Sequence, residues 1–257
     1  MKRGVVHSLL AALALVLLQA CVTDITANAP KSAPLPKCGA SEPVAEAPRE
    51  TPFFLRGFSL LEENEMPAVG SISDRNNNMI GSAVLIHPRV ALTAAHCTED
   101  TTIKWFTANG TKHGVRFVIT HPKCLIGNKW IFDVALVFLD DCSDITPIET
   151  ISENYMYHRM DDLTAVGYGG GMKKQSNNGV FRYYGTLIEE PWVFKVLATN
   201  GTVWFGDSGG AMINPEGKLV GVISSLGIYD DCLYENSIVR LDLVIGWIHQ
   251  TVEEICN

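Results

Sequence analysis

Beyond about residue 55 the apolar positions fall in short runs of four to six residues, broken by Asn-, Gly-, Asp- and Pro-rich stretches. Ala83-Val84-Leu85-Ile86, Val115-Arg116-Phe117-Val118-Ile119, Val134-Ala135-Leu136-Val137-Phe138-Leu139, Leu163-Thr164-Ala165-Val166 and Leu219-Val220-Gly221-Val222-Ile223 are examples. Runs of this length and spacing predict an all-β domain, a barrel or a sandwich. Only the end has a helical period: Ile245, Ile248, Val252 and Ile255 recur at three- and four-residue spacing, which predicts a helix over about 243–256. No internal repeat is evident.

The first residues follow a different logic. Lys2 and Arg3 precede an apolar stretch from Leu9 to Leu18, and small residues lead to Cys21, the pattern of an export signal over 1–20. That stretch is too short for a transmembrane helix, and no later segment is long and apolar enough to span a bilayer. Leu18-Gln19-Ala20-Cys21 resembles a bacterial lipobox, with Gln19 its one departure, so Cys21 is expected to carry lipid and to become the mature N-terminus. Acyl chains there, at about 0.8 kcal/mol per buried methylene, would hold the protein on a membrane. The expected location is the bacterial cell envelope, lipid-anchored; cleavage after Ala20 without lipidation would make it a secreted protein instead. Residues 21–54, rich in Ala, Pro, Glu and Ser, read as a spacer or pro-segment.

Composition narrows the choices. The chain has 257 residues, 47% hydrophobic and 19% charged, enough for one large domain or two small packed ones. Its formal net charge of -8 argues against nucleic acid as a partner. Seven cysteines leave six once Cys21 is set aside: Cys38, Cys97, Cys124, Cys142, Cys232 and Cys256. In an oxidising compartment these allow up to three disulfides, whose pairing the sequence does not choose. With neither His-Glu-x-x-His nor paired Cys-x-x-Cys present, no metal and no cofactor is expected, and His113 and His121 read as surface and turn residues.

Three strings carry chemistry together. Leu92-Thr93-Ala94-Ala95-His96-Cys97 places a histidine after a small-residue run, Phe132-Asp133-Val134-Ala135-Leu136 an acid at the head of a buried strand, and Gly206-Asp207-Ser208-Gly209-Gly210 a serine in a glycine-flanked turn. The order His, Asp, Ser is that of the chymotrypsin fold and not of subtilisins or α/β-hydrolases.

Residues from about 55 to 257 therefore resemble a trypsin-like serine protease. Gly81-Ser82, Gly167-Tyr168-Gly169, Gly221-Val222-Ile223-Ser224, Arg240-Leu241 and Gly246-Trp247-Ile248 resemble further family strings. The resemblance implies two six-stranded β-barrels, about 55–155 and 156–242, followed by the C-terminal helix. It implies a serine endopeptidase with His96, Asp133 and Ser208 as triad, working on peptides or proteins through an acyl-enzyme. Backbone N–H groups of Gly206 and Ser208 would form the oxyanion hole, and Ser224 would hydrogen-bond Asp133. Thr202, Ser224, Leu226 and Asn236 would line the substrate pocket. Because Thr202 is not an acid, cleavage after Lys or Arg is not expected, and the bulk of Leu226 and Asn236 points to small apolar residues before the cleaved bond. The rival reading is a protease-like module that binds peptides without turnover.

Two family features are missing. The usual disulfide partners of Cys97 and Cys232 are replaced by Met79 and Trp204. The resemblance also implies a new N-terminus that folds inward to pair with Asp207, yet Leu55-Arg56-Gly57-Phe58 matches that terminus poorly. The favoured expectation is a zymogen activated by cleavage before Leu55. The alternative is an oxyanion hole assembled without a cut, with Asp207 paired to something else.

Overall fold

The computed structural model describes residues 57–256, apart from 100, 127–128, 159–160, 177–180, 186–188, 199–201 and 231–232. The expected export signal, Cys21, the spacer and Cys38 lie outside the described residues, as does Cys232.

Each of the five apolar runs named beyond residue 55 forms most or all of a strand or lies within one. The first set is β1 (Phe58–Leu60), β2 (Val69–Ser73), β3 (Met79–His87), β4 (Val90–Thr93), β5 (Trp105–Ala108), β6 (Thr111–Thr120), β7 (Leu125–Ile126), β8 (Lys129–Trp130) and β9 (Ala135–Leu139). Of these, β2-β3-β4-β9-β6-β5 close into a barrel, sealed where Ser71 of β2 faces Thr107 of β5. The unbroken apolar run of β9 is explained by burial of all five of its residues.

The second set is β10 (Asp162–Gly167), β11 (Lys174–Ser176), β12 (Phe181–Gly185), β13 (Val193–Ala198), β14 (Ala211–Ile213), β15 (Leu219–Asp230) and β16 (Leu233–Arg240). They form a curled sheet ordered β1-β11-β10-β12-β13-β16-β15-β14, and a further pairing of β10 with β14 joins its strands from β10 to β14 into a ring. The fold is thus mostly β, as the sequence implied. One strand departs from the expected partition: β1 lies in sequence ahead of the first barrel but pairs with β11 of the second sheet, Leu60 opposite Lys174.

Helix α1 (Ile245–Cys256) follows a single-turn helix at Leu241–Leu243. Ile245 and Ile248 are buried and Val252 packs against the core, as the period foretold, whereas Ile255 in the last turn is exposed. The helix reaches back to the first barrel through Trp247, whose ring meets His121 at 4.8 Å. His121 opens a turn, its carbonyl accepting Cys124 N–H at 2.9 Å, and its ring is buried between Trp247 and Phe132.

Close packing makes small residues in the second sheet sensitive. A Cβ on Gly221 would stand 2.8 Å from the Val239 carbonyl and 3.0 Å from the Phe194 ring, and would strike Ile238 as well. All three neighbours belong to paired strands and cannot yield cheaply. Gly221→Ala is expected to destabilise the fold by about 1–3 kcal/mol, readable as a lower denaturant midpoint with unchanged m-value. An unchanged midpoint would contradict this packing.

Candidate active site

The first barrel supplies two of the three predicted site residues. The chain leaves β4 into a short helix, Ala95–Thr98, which turns the His96 ring towards the segment preceding β9. There Asp133 is 2% exposed and fully engaged. Its Oδ1 accepts the His96 backbone N–H at 2.8 Å, and its Oδ2 lies 2.7 Å from His96 Nδ1. Ser224 Oγ, from β15 of the second sheet, donates to Oδ2 at 2.6 Å. One carboxylate thus fixes the histidine twice and ties the two halves together.

The serine loop runs between Ala198 of β13 and β14 and docks onto the first barrel backbone to backbone. Ser82 N–H donates to the Ser208 carbonyl at 2.8 Å, and Ser82 Oγ donates to the Gly206 carbonyl at 2.6 Å while accepting Tyr168 N–H at 2.9 Å. Gly209 has φ 83°, and a Cβ there would stand 3.0 Å from Ala94 N and strike the Ser82 carbonyl and Thr93 hydroxyl. Gly206 has φ 99°, outside the range of ordinary side-chain-bearing residues. Among the described residues neither Gly206 N–H nor Ser208 N–H donates to a protein acceptor.

Among the described residues Ser208 Oγ makes only a long bond, donating to the Ser224 carbonyl at 3.4 Å. His96 Nε2 has the Cys97 sulfur at 3.8 Å. The structure therefore brings His96, Asp133, Ser208, Gly206 and Ser224 around one cleft, with the Ser208–His96 hydrogen bond not yet made. Apo sites commonly show such loose contacts, which tighten on substrate binding.

That cleft is about 690 Å³, lined by His96, Gly206 and Ser208 and by apolar Val203, Ile223 and Leu226 among others. Of the four expected pocket residues, Ser224 and Leu226 line it. Thr202 and Asn236 do not. Both are fully buried, and Thr202 Oγ1 donates to Asn236 Oδ1 at 3.1 Å. On the rim, Phe205 is 85% exposed, with Trp204 beside it.

The disulfide expectation is not met for most of its candidates: Cys97, Cys124, Cys142 and Cys256 are free thiols. Cys97 is buried against the site, with Met79 where a partner cysteine would be needed.

Sequence reasoning missed Lys174. Its amine, fully buried, meets Asp207 Oδ2 at 2.5 Å, beside the serine. Asp207 also accepts Gly169 N–H at 2.6 Å and Trp204 N–H at 2.8 Å. No pattern around Lys173-Lys174 marks either lysine as interior, yet both are buried.

Electrostatics favour a charged histidine at rest. Burial opposes the imidazolium, but the Asp133 carboxylate and the Cys97 sulfur outweigh it and hold His96 well above its ordinary value. Burial likewise pushes Asp133 up, and the bonds from His96 and Ser224 overcome it and keep the carboxyl below its usual range. A raised His96 stabilises the fold most at low pH and loses that contribution as pH rises through the folded-state value. A base must be neutral to take a proton, so kcat/KM is expected to climb with pH along a limb lying above the ~6.5 of free histidine. A limb at or below that value would contradict the His96–Asp133 pairing in solution.

A closed β-barrel beside a curled β-sheet, with a His–Asp pair on one half and a glycine-held serine on the other, defines a serine protease of the chymotrypsin-like class. The comparisons agree. The trypsin-like peptidase domain family matches residues 81–222, and the chain belongs to that family. By sequence alone, no curated protein matches it. Among solved structures it is similar to human heparin binding protein, with 17% identity, TM-score 0.65, and coverage of 76% of this chain and 95% of that one. It is similar to neuropsin, a serine protease expressed in the limbic system of mouse brain, with 17% identity, TM-score 0.65, and coverage of 76% and 98%. The Vibrio cholerae VesB protease matches with 16% identity and TM-score 0.62 over 75% of this chain and 66% of that one. Those likenesses establish the fold, and they include a protein named for binding as well as proteases.

Proposed function

We propose that the protein is a serine endopeptidase in which Ser208 attacks the scissile carbonyl. His96 takes the serine proton and passes it to the leaving amine, so that the first product leaves as a neutral amine and an ester to Ser208 remains. Water, activated by the same histidine, then hydrolyses that ester and restores the serine. Asp133 fixes the imidazole tautomer and stabilises the imidazolium. Gly206 and Ser208 N–H groups receive the oxyanion, each worth roughly 10²–10³ in turnover in comparable sites.

The observation that carries this reading is the Asp133 carboxylate. It binds the His96 backbone and ring together, at 2.8 and 2.7 Å, beside a cleft holding two unpartnered N–H groups and a serine. Such convergence on one cleft is what amide hydrolysis needs, and it has no evident structural purpose.

For specificity, the cleft's lining among the described residues has no carboxylate, and Val203, Ile223 and Leu226 make its walls apolar. Small apolar residues before the cleaved bond are the substrate class proposed, not Lys or Arg. We place the enzyme outside the cytoplasm, tethered through Cys21, on the strength of the lipobox-like string alone.

The alternative of a silent peptide-binding module draws on one feature, the Ser208 hydroxyl bonded to Ser224 instead of His96. Fluorophosphonate labelling of the full-length chain, beside its Ser208→Ala variant, separates the two. Labelling of the native protein alone supports the peptidase. Labelling of neither supports the binding module.

A further inference from the structure

The acid next to the serine already has its cation. In the resemblance that named the family, that acid pairs with a new N-terminus released by cleavage. Here the partner is Lys174, from the interior of the chain, at 2.5 Å from Asp207 Oδ2. The surroundings fit the pair closely. A Cβ on Gly167 would come 2.6 Å from Asp207 Oδ1, and one on Gly169 would run into the same carboxylate, so both glycines leave room for it. Phe58 lies over the lysine amine at 4.2 Å from its ring centroid.

That Phe58 contact involves the very segment a freed terminus would have to leave. Residues 58–60 are instead strand β1, paired with β11, and Leu61 N–H continues onto the Lys173 carbonyl at 3.0 Å. Further along, Tyr168 OH donates to Glu63 at 2.9 Å and Lys173 Nζ to the Glu63 carbonyl at 3.0 Å. The uncut chain therefore fills this region and covers the ion pair.

Asp207 lies between the two oxyanion donors, so whatever fixes its carboxylate fixes them. An isolated carboxylate this deeply buried would be costly, and a paired cation with two N–H donors removes most of that cost. We propose that Lys174 is a positioning residue that replaces the N-terminal ammonium, so that the oxyanion hole is formed in the unprocessed chain and no activating cleavage is needed. This rests on the serine peptidase reading and reverses the favoured expectation of a zymogen.

The test labels full-length protein with a fluorophosphonate and follows hydrolysis of an activated ester, with intact mass showing that residues ahead of Phe58 remain attached. Ser208→Ala is the control. The uncut chain should label at Ser208, and Lys174→Met should lower kcat by about 10²–10³ with little change in KM, because a misplaced oxyanion donor acts on the transition state. Lys174→Arg, which keeps a cation, should recover part of that loss. If Lys174→Met does not fold, Lys174→Gln, which keeps a donor but no charge, takes its place with the same expected loss of kcat.

Three results would overturn the proposal. Labelling that begins only after a cut ahead of Phe58 would make the chain a zymogen. Unchanged kcat in a folded neutral variant would make Lys174 irrelevant to the site. Faster labelling in that variant would make Lys174 an inhibitory lock. No Ser208-dependent labelling in either cut or uncut protein would sink the peptidase reading itself, a failure distinct from these three.

Discussion

Replacing Ser208 with alanine is expected to reduce kcat for an ester or amide substrate by about 10⁶, the scale seen when the nucleophile of such a triad is removed. The loss should fall on kcat with KM little changed, because the serine hydroxyl contributes little to ground-state binding. Folding should be unaffected. Ser208 is held by its backbone, through the carbonyl that accepts Ser82 N–H at 2.8 Å, and among the described residues its hydroxyl makes only the long bond to Ser224. Steady-state kinetics with a chromogenic ester, alongside thermal unfolding, checks both halves. A residual rate within tenfold of the native enzyme would mean that another group does the attacking.

The second large effect belongs to Asp133. Asp133→Asn keeps an oxygen for the His96 backbone N–H, so the loop at Ala95–Thr98 should hold its place. The amide cannot balance an imidazolium, and its NH₂ favours the wrong histidine tautomer. Turnover is expected to drop by about 10⁴. With the carboxylate gone, the larger of the two causes of the raised His96 value disappears and only the Cys97 sulfur remains, so the limb of the pH–rate profile should move to lower pH. A variant that lost turnover but kept the native limb would show that Asp133 acts through structure and not through the histidine's charge.

How far the sequence reached depended on the kind of constraint. Strings such as Leu92–Cys97 and Gly206–Gly210 were legible because backbone geometry forces them. Gly209 must be glycine to lie against the Ser82 carbonyl, and Gly206 must accept φ 99°. The strands were legible from runs such as Ala135–Leu139, buried throughout. What escaped depends on which distant side chains meet. Lys174 reads as an ordinary surface cation until the fold sets it against Asp207. Phe58 reads as the start of the first barrel until β1 is seen paired with β11. Thr202 and Asn236, 34 positions apart, bond to each other in the interior and do not line the cleft as expected. Four of the six candidate cysteines, Cys97, Cys124, Cys142 and Cys256, are free thiols, because a count says nothing of which positions the fold brings together.

The central claim is that Ser208, and no neighbouring group, is the nucleophile of this cleft. The Cys97 sulfur is the rival, since it lies 3.8 Å from His96 Nε2 and 3.9 Å from the Ser208 carbonyl. The decisive measurement is rapid mixing of the full-length chain with a nitrophenyl ester, quenching in acid, and mapping of the acyl group by peptide mass. The account predicts a burst approaching one equivalent per active chain, with the acyl group on Ser208. A burst whose acyl group maps to Cys97, or no covalent adduct during turnover, would contradict it.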